Sequence, residues 1–230
     1  MLILHDAKMP ARAIEKLGEY GDTIGFATVG ITYEAISGHT DIFFCPTPSG
    51  LIVAPNLPEE FFGLLQEHSI PFSTGYLPVG TIYPASATYN TLVAGKFIIG
   101  NPAIHDKSIV KLNEDLNIIP VRQGYVRCNL LPLPGDRFIT SDRGIEKSLM
   151  KHNLEVLFVD SSCIKLEGFR HGFFGGAWGL LGNTLFLCGS LEYFSEKDAI
   201  KGFLAKSGAR LVELYDGPPL DVGTILILAD

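Results

Sequence analysis

The stretch Asp41–Leu65, DIFFCPTPSGLIVAPNLPEEFFGLL, holds the plan of the whole chain. Two apolar runs meet at Pro48-Ser49-Gly50, residue types that reverse a strand, so the stretch opens as a β-hairpin. Asn56 is an N-cap type standing where helical spacing begins, and an amphipathic helix follows it. Ser69 stops that helix and IPFST leaves it as a third strand. The unit is strand, strand, helix, strand.

The same grammar recurs along the chain. Hairpins turn at Ala94-Gly95-Lys96, Pro134-Gly135-Asp136 and Gly182-Asn183, N-cap types stand at Asp6, Asn101, Asp142 and Ser190, and helices stop at Gly21, Asn117, Asn153 and Gly208. Successive caps are 50, 45, 41 and 48 residues apart. The N-terminal unit has only its later part, MLILHD and a helix; its missing first strand is supplied at the other end as GTILILAD. The termini are therefore expected to pair as a hairpin and close a ring, which leaves no end repeat to cap. The expectation is a single α/β domain over 1–230, a five-fold pseudosymmetric propeller of ββαβ units. Their approximate bounds are 221–230 plus 1–37, 38–80, 81–123, 124–174 and 175–220.

Composition sets the surroundings. With 230 residues, 47% hydrophobic and 19% charged, the chain can bury a large core. Its apolar runs fall short of the roughly 20 residues that cross a bilayer, and no charged leader precedes MLIL, so no membrane partner is expected and the cytoplasm is the default. A net charge of −7 with dispersed Lys and Arg argues against nucleic acid and suits a cationic ligand. Four cysteines, Cys45, Cys128, Cys163 and Cys188, lack any C-x-x-C pair, so neither zinc nor another cofactor is expected.

Five such units in a ring resemble the pentein fold, the α/β propeller of guanidino-group modifying enzymes. That superfamily includes deiminases, dimethylarginine hydrolases, amidinotransferases and a non-catalytic ribosome anti-association factor. Gly38-His39-Thr40-Asp41 is similar to its GHxD motif, and Gly124-Tyr125-Val126-Arg127-Cys128, two units later, to the G-x-x-x-C context of its nucleophile. The resemblance implies that Cys128 attacks a guanidine or amidine carbon, His39 acts as general acid/base, and Asp41 holds the cationic group in the central channel. It makes Asn90, Arg127, Trp178, Asp221 and Arg170 candidate substrate-binding residues. A small guanidine or amidine is the implied ligand. A ring without catalysis, binding a small molecule or a protein, is the alternative.

Two features depart from the family pattern. Phe174–Gly179, FGGAWG, lacks the acidic residue expected in the unit after the cysteine, and PPLDVGTILI lacks a Glu-Gly-Gly, with Asp221 near the equivalent position. On an extended chain, His39 and Asp41 point to one face. Counting from the caps then matches Arg127, rather than Cys128, with Asp41, and gives Cys128 the packing face unless a bulge intervenes. Cys163 in DSSCIKLEG is the rival nucleophile. The glycine- and aromatic-rich stretch 167–182 suits either a lid or a buried aromatic cluster whose glycines allow tight packing, with the tyrosine-bearing loops ATVGITYEAISG and TGYLPVGTIYPASATYN on the same rim.

Overall fold

In the computed structural model residues 1–228 are described; Ala229 and Asp230, the end of the last expected strand, lie outside the described residues. The chain begins with β1 (Leu2–Asp6), α1 (Ala11–Leu17) and β2 (Asp22–Phe26). A helical turn α2 (Thr40–Phe43) leads into β3 (Phe44–Thr47), β4 (Gly50–Val53), α3 (Glu59–Glu67) and β5 (Phe72–Thr74). The next unit holds β6 (Leu92–Ala94), β7 (Phe97–Gly100), α4 (Lys107–Lys111) and β8 (Asn117–Pro120). A second helical turn α5 (Val126–Asn129) opens the run β9 (Leu130–Leu133), β10 (Arg137–Thr140), α6 (Arg143–Lys151) and β11 (Glu155–Phe158). The chain finishes with β12 (Trp178–Leu181), β13 (Thr184–Leu187), α7 (Lys197–Ser207), β14 (Arg210–Glu213) and β15 (Leu226–Leu228).

These strands form five three-stranded sheets, each with an antiparallel first pair and a parallel second pair. The hairpins turn where the glycines stand: Thr47 pairs with Gly50, Ala94 with Phe97, Leu133 with Arg137 and Leu181 with Thr184. In the remaining sheet the two ends of the chain meet, as Leu2, Ile3 and Leu4 pair antiparallel with Leu228, Ile227 and Leu226. The first strands of all five sheets share a hub, because Pro46, Leu92, Leu130, Trp178 and Leu226 line one cavity. This is the five-fold α/β propeller expected from the repeat.

Helix starts differ from the expected caps in four units. Asp142 caps α6 through hydrogen bonds from the Gly144 and Ile145 amides, and Ser190 caps a short 3-10 turn ahead of α7. Asp6 and Asn101 instead close turns two residues on, accepting from Lys8 N and Ala103 N, while Asn56 clamps Val79 through both its amide atoms. The helices there start later, behind Pro10, Pro58 and Asp106. A side-chain oxygen that catches a nearby amide serves a turn as readily as a helix. The stops are better matched: Ser69, Asn153 and Gly208 have φ of 54°, 59° and 72° just past α3, α6 and α7, whereas Gly21 and Asn117 adjoin strand starts.

Apolar burial anchors the turns that face the hub. Phe43, in α2, is fully buried against Phe26, with ring centroids 5.4 Å apart, and Phe26 also meets Phe44 and Phe61 at 5.3 and 4.6 Å. Burying a phenylalanine side chain contributes about 3 kcal/mol. With Phe43 held in the wedge between the first two sheets, the polar residues at the start of α2 are directed to the axis.

Candidate functional site

His39 and Asp41 do not sit on a strand. His39 is the N-cap of α2 and Asp41 its second residue, so their common direction comes from one turn of helix rather than from alternation. Cys128 likewise lies in α5, where the face-by-face count along an extended chain does not apply. The thiol is buried between the two helical turns: Cys128 Sγ donates to Asp41 Oδ2 at 2.9 Å and accepts from Asn90 Nδ2 at 3.0 Å.

Asn90 organises α5. Its backbone carbonyl accepts from the Val126 and Arg127 amides, its Oδ1 accepts from Cys128 N at 3.1 Å, and its Nδ2 also reaches the Asp41 carbonyl at 3.2 Å. One side chain thus ties the two helical turns together. On the other side of Asp41, Thr224 Oγ1 donates to the same Oδ2 at 2.8 Å.

Two further acids flank His39. Asp6 Oδ2 lies 3.8 Å from Nε2, and Asp221 Oδ1 lies 4.0 Å from Nδ1. Asp221 is held by the Phe173 amide at 2.8 Å and the Gly223 amide at 3.1 Å. Gly223, at φ 63°, sits where a Cβ would overlap the His39 side chain, so glycine is required by both conformation and space.

Burial governs the ionisation of the cluster. It pushes the Asp41 carboxyl up to about 6, against opposing contributions from His39 and from the Cys128 and Thr224 hydrogen bonds. Burial also raises Asp221, with His39 and its two amide donors opposing. The Cys128 thiol is pushed well above its ordinary value by burial, by the charges of Asp41 and Asp221 and by its bond to Asp41, with only Asn90 working the other way. At rest the cysteine is a neutral thiol that donates to a carboxylate.

Both ring nitrogens of His39 and Asp41 Oδ1 are buried without a hydrogen-bond partner among the described residues. Ligand atoms of His39, Asp41 and Cys128 all lie within 4.8 Å of one another. Such a set could close on a tetrahedral ion with N, O and S bonds of about 2.0 to 2.3 Å. It was invisible in the cysteine spacing because its members come from different turns.

Two cavities reach the hub from opposite ends of the first strands. One of about 830 Å³ opens among the loops and is lined by His39, Asp6, Asp221, Arg170, Cys163 and Lys165. The other, about 540 Å³, opens among the hairpins and has Arg127, Gly175 and Thr224 at its inner end. Aromatic rings from the expected rim loops meet beside the hub: Tyr33 on Phe169, Tyr125 on Phe173 and Tyr83 on Tyr125, with centroids 5.9, 6.3 and 5.7 Å apart.

The sequence candidates therefore separate. Asn90, Asp41, His39, Cys128 and Asp221 converge, and Arg170 lines the loop-side cavity. Arg127 and Trp178 belong instead to the hairpin-side cavity, and Phe174, Ala177 and Trp178 are fully buried and pack with Phe194, so this part of 167–182 is a packed aromatic cluster. Cys163 lies partly exposed on the loop-side wall, its thiol raised to about 11 by burial. Asp6 and Thr224 were missed. Asp6 ends a buried strand and follows a histidine in LILHD, and Gly38 packs directly over its carboxylate.

The fold is matched by solved structures across nearly the whole chain. Agmatine deiminase of C. jejuni aligns with TM-score 0.57 at 8% identity, covering 93% of this chain and 74% of that one. The amidinotransferase SxtG of Microseira wollei gives 0.56 at 11%, covering 100% and 96%. A cysteine-to-serine variant of DDAH from Pseudomonas aeruginosa, complexed with citrulline, gives 0.53 at 8%, covering 92% and 91%. These are pentein structures, and this chain has the pentein fold. No curated protein matches by sequence. A protein-family profile matches residues 4–226, and on that match the chain belongs to the family of unknown function DUF6873.

Proposed function

We propose that this chain is a hydrolase or transferase of guanidino or amidino groups, with Cys128 as nucleophile, His39 as general acid/base and Asp41 holding the cationic group. The observation that carries the reading is the convergence of thiol, imidazole and carboxylate within 4.8 Å, with the His39 nitrogens and Asp41 Oδ1 left without a hydrogen-bond partner among the described residues. The fold-level likeness to an amidinotransferase, an agmatine deiminase and DDAH supports the kind of reaction.

The electrostatics favour a cation. Asp41, Asp221 and Asp6 surround one histidine, and a guanidinium placed against Asp41 Oδ1 would satisfy an orphaned acceptor and stabilise the ionised carboxylate. The same positive charge would offset the acids that now hold Cys128 protonated. The thiol then loses its proton to His39, leaving Asp41 ionised; Sγ forms a bond to the guanidine carbon, and the C–N bond to the leaving amine breaks as His39 delivers that proton to the amine nitrogen. Water, or an incoming amine in a transferase, next attacks the same carbon with His39 as base, and the C–S bond breaks. Asp6 and Asp221 orient the imidazole.

The test is incubation with arginine, agmatine, guanidinoacetate and acetamidine, following amine release and intact protein mass. Turnover or a covalent adduct with at least one of these, abolished in Cys128→Ala, is the expected result. No release and no adduct with any of them, alongside a thermal shift that depends on His39, would leave a binding ring without catalysis.

A further inference from the structure

We propose that the hairpin-side cavity is a second ligand site, which takes a small monocarboxylate with an apolar body and holds it through Arg127. The proposal is independent of any chemistry at Cys128.

The starting observation is an uncompensated cation. Arg127 lies half-buried at the inner end of this cavity, and its guanidinium makes no hydrogen bond or ion pair with any described residue. A guanidinium keeps its charge, so it cannot escape burial by losing a proton. Burial works against that charge, with the Asp41 carboxylate opposing without an ion pair to it. Planar donors with no protein acceptor fit a carboxylate in two parallel hydrogen bonds.

The walls specify the rest of the ligand. Leu92, Leu131, Leu133, Leu180 and Leu226 surround the space, and about 540 Å³ lies within the range of small-molecule pockets. Trp178, fully buried, is part of the same wall and has an indole N–H with no acceptor among the described residues. The acid at the mouth, Asp136, lies 3.9 Å from Lys96 and so does not serve Arg127. A bare inorganic anion would satisfy the guanidinium but leave the leucines wet; an apolar neutral molecule would do the reverse.

Trp178 is the chain's only tryptophan and lines this cavity, so tryptophan emission comes from its wall. The full chain is titrated with hexanoate, hexanamide and inorganic phosphate. Hexanoate should give a saturable change in emission, with hexanamide and phosphate each at least tenfold weaker. Arg127→Met should weaken hexanoate at least tenfold, and Leu180→Phe, which narrows the cavity and keeps the guanidinium, should weaken it as well. Melting by circular dichroism checks that each variant folds; should Arg127→Met not fold, the hexanamide comparison and Leu180→Phe decide. No saturable response to hexanoate, equal affinity for hexanamide or phosphate, or wild-type affinity in the folded variants would overturn the assignment.

Discussion

The Cys128 thiol donates a 2.9 Å hydrogen bond to Asp41 Oδ2, joining two helical turns 87 residues apart in the chain. Thr224 Oγ1 donates to the same oxygen at 2.8 Å from the opposite end of the sequence. One carboxylate thus gathers three units of the ring, and its ionisation bears on both stability and reactivity.

Asp41 makes the fold sensitive to pH in a defined direction. Its carboxyl rises from 3.8 to about 6 on folding, chiefly by burial, so the native state disfavours the charged form. Below the unfolded value the group is protonated in both states and costs nothing. Between about pH 4 and 6 the cost of holding the charge accrues, and above that it is constant, on the order of 3 kcal/mol. Denaturant unfolding of wild type and Asp41→Asn from pH 4 to 7 should show the wild type losing stability relative to the variant by roughly that amount. A difference that stays flat across this window would contradict the assignment.

Asn90 supports the thiol and the turn that bears it. Asn90→Ala would orphan the buried Cys128 amide, which costs about 1 to 3 kcal/mol, and would remove the one donor that favours the thiolate. Chemical denaturation should show the loss, and alkylation of Cys128 at fixed pH should be slower than in wild type.

The ring was readable because its signals are local or terminal. Hairpin glycines at Gly95 and Gly182 require positive φ, and the two end strands complete one sheet. The helical turns at the hub were not readable, since four residues such as Thr40–Phe43 carry no periodicity and the stretch GHTDIFF is rich in strand formers. That is why His39 and Asp41 were read as strand neighbours and Cys128 as facing the packing side. Motif resemblance brought His39, Asp41 and Cys128 together as candidates. Thr224 and Asp6 carry no motif, and only the closed ring sets them beside the cluster.

Gly223 is the tightest constraint at the site. Ala at this position would hold φ near 63° and drive its Cβ into His39. Gly223→Ala should destabilise the protein by at least about 2 kcal/mol, and should displace the imidazole, seen as a shifted histidine ring signal by NMR. Gly182→Ala, with φ 58° but open space around it, should cost less and leave that signal unchanged.

The most direct test of the central claim is the rate at which each cysteine is alkylated by chloroacetamidine and by its neutral counterpart chloroacetamide, mapped by mass spectrometry. A cavity lined by His39, Asp221 and Asp6, with Asp41 and Cys128 within 4.8 Å of the imidazole, should concentrate the cationic reagent, so Cys128 should react faster with chloroacetamidine and be shielded by guanidine or amidine ligands. Labelling confined to Cys163, or Cys128 reacting with both reagents equally and without protection, would contradict it.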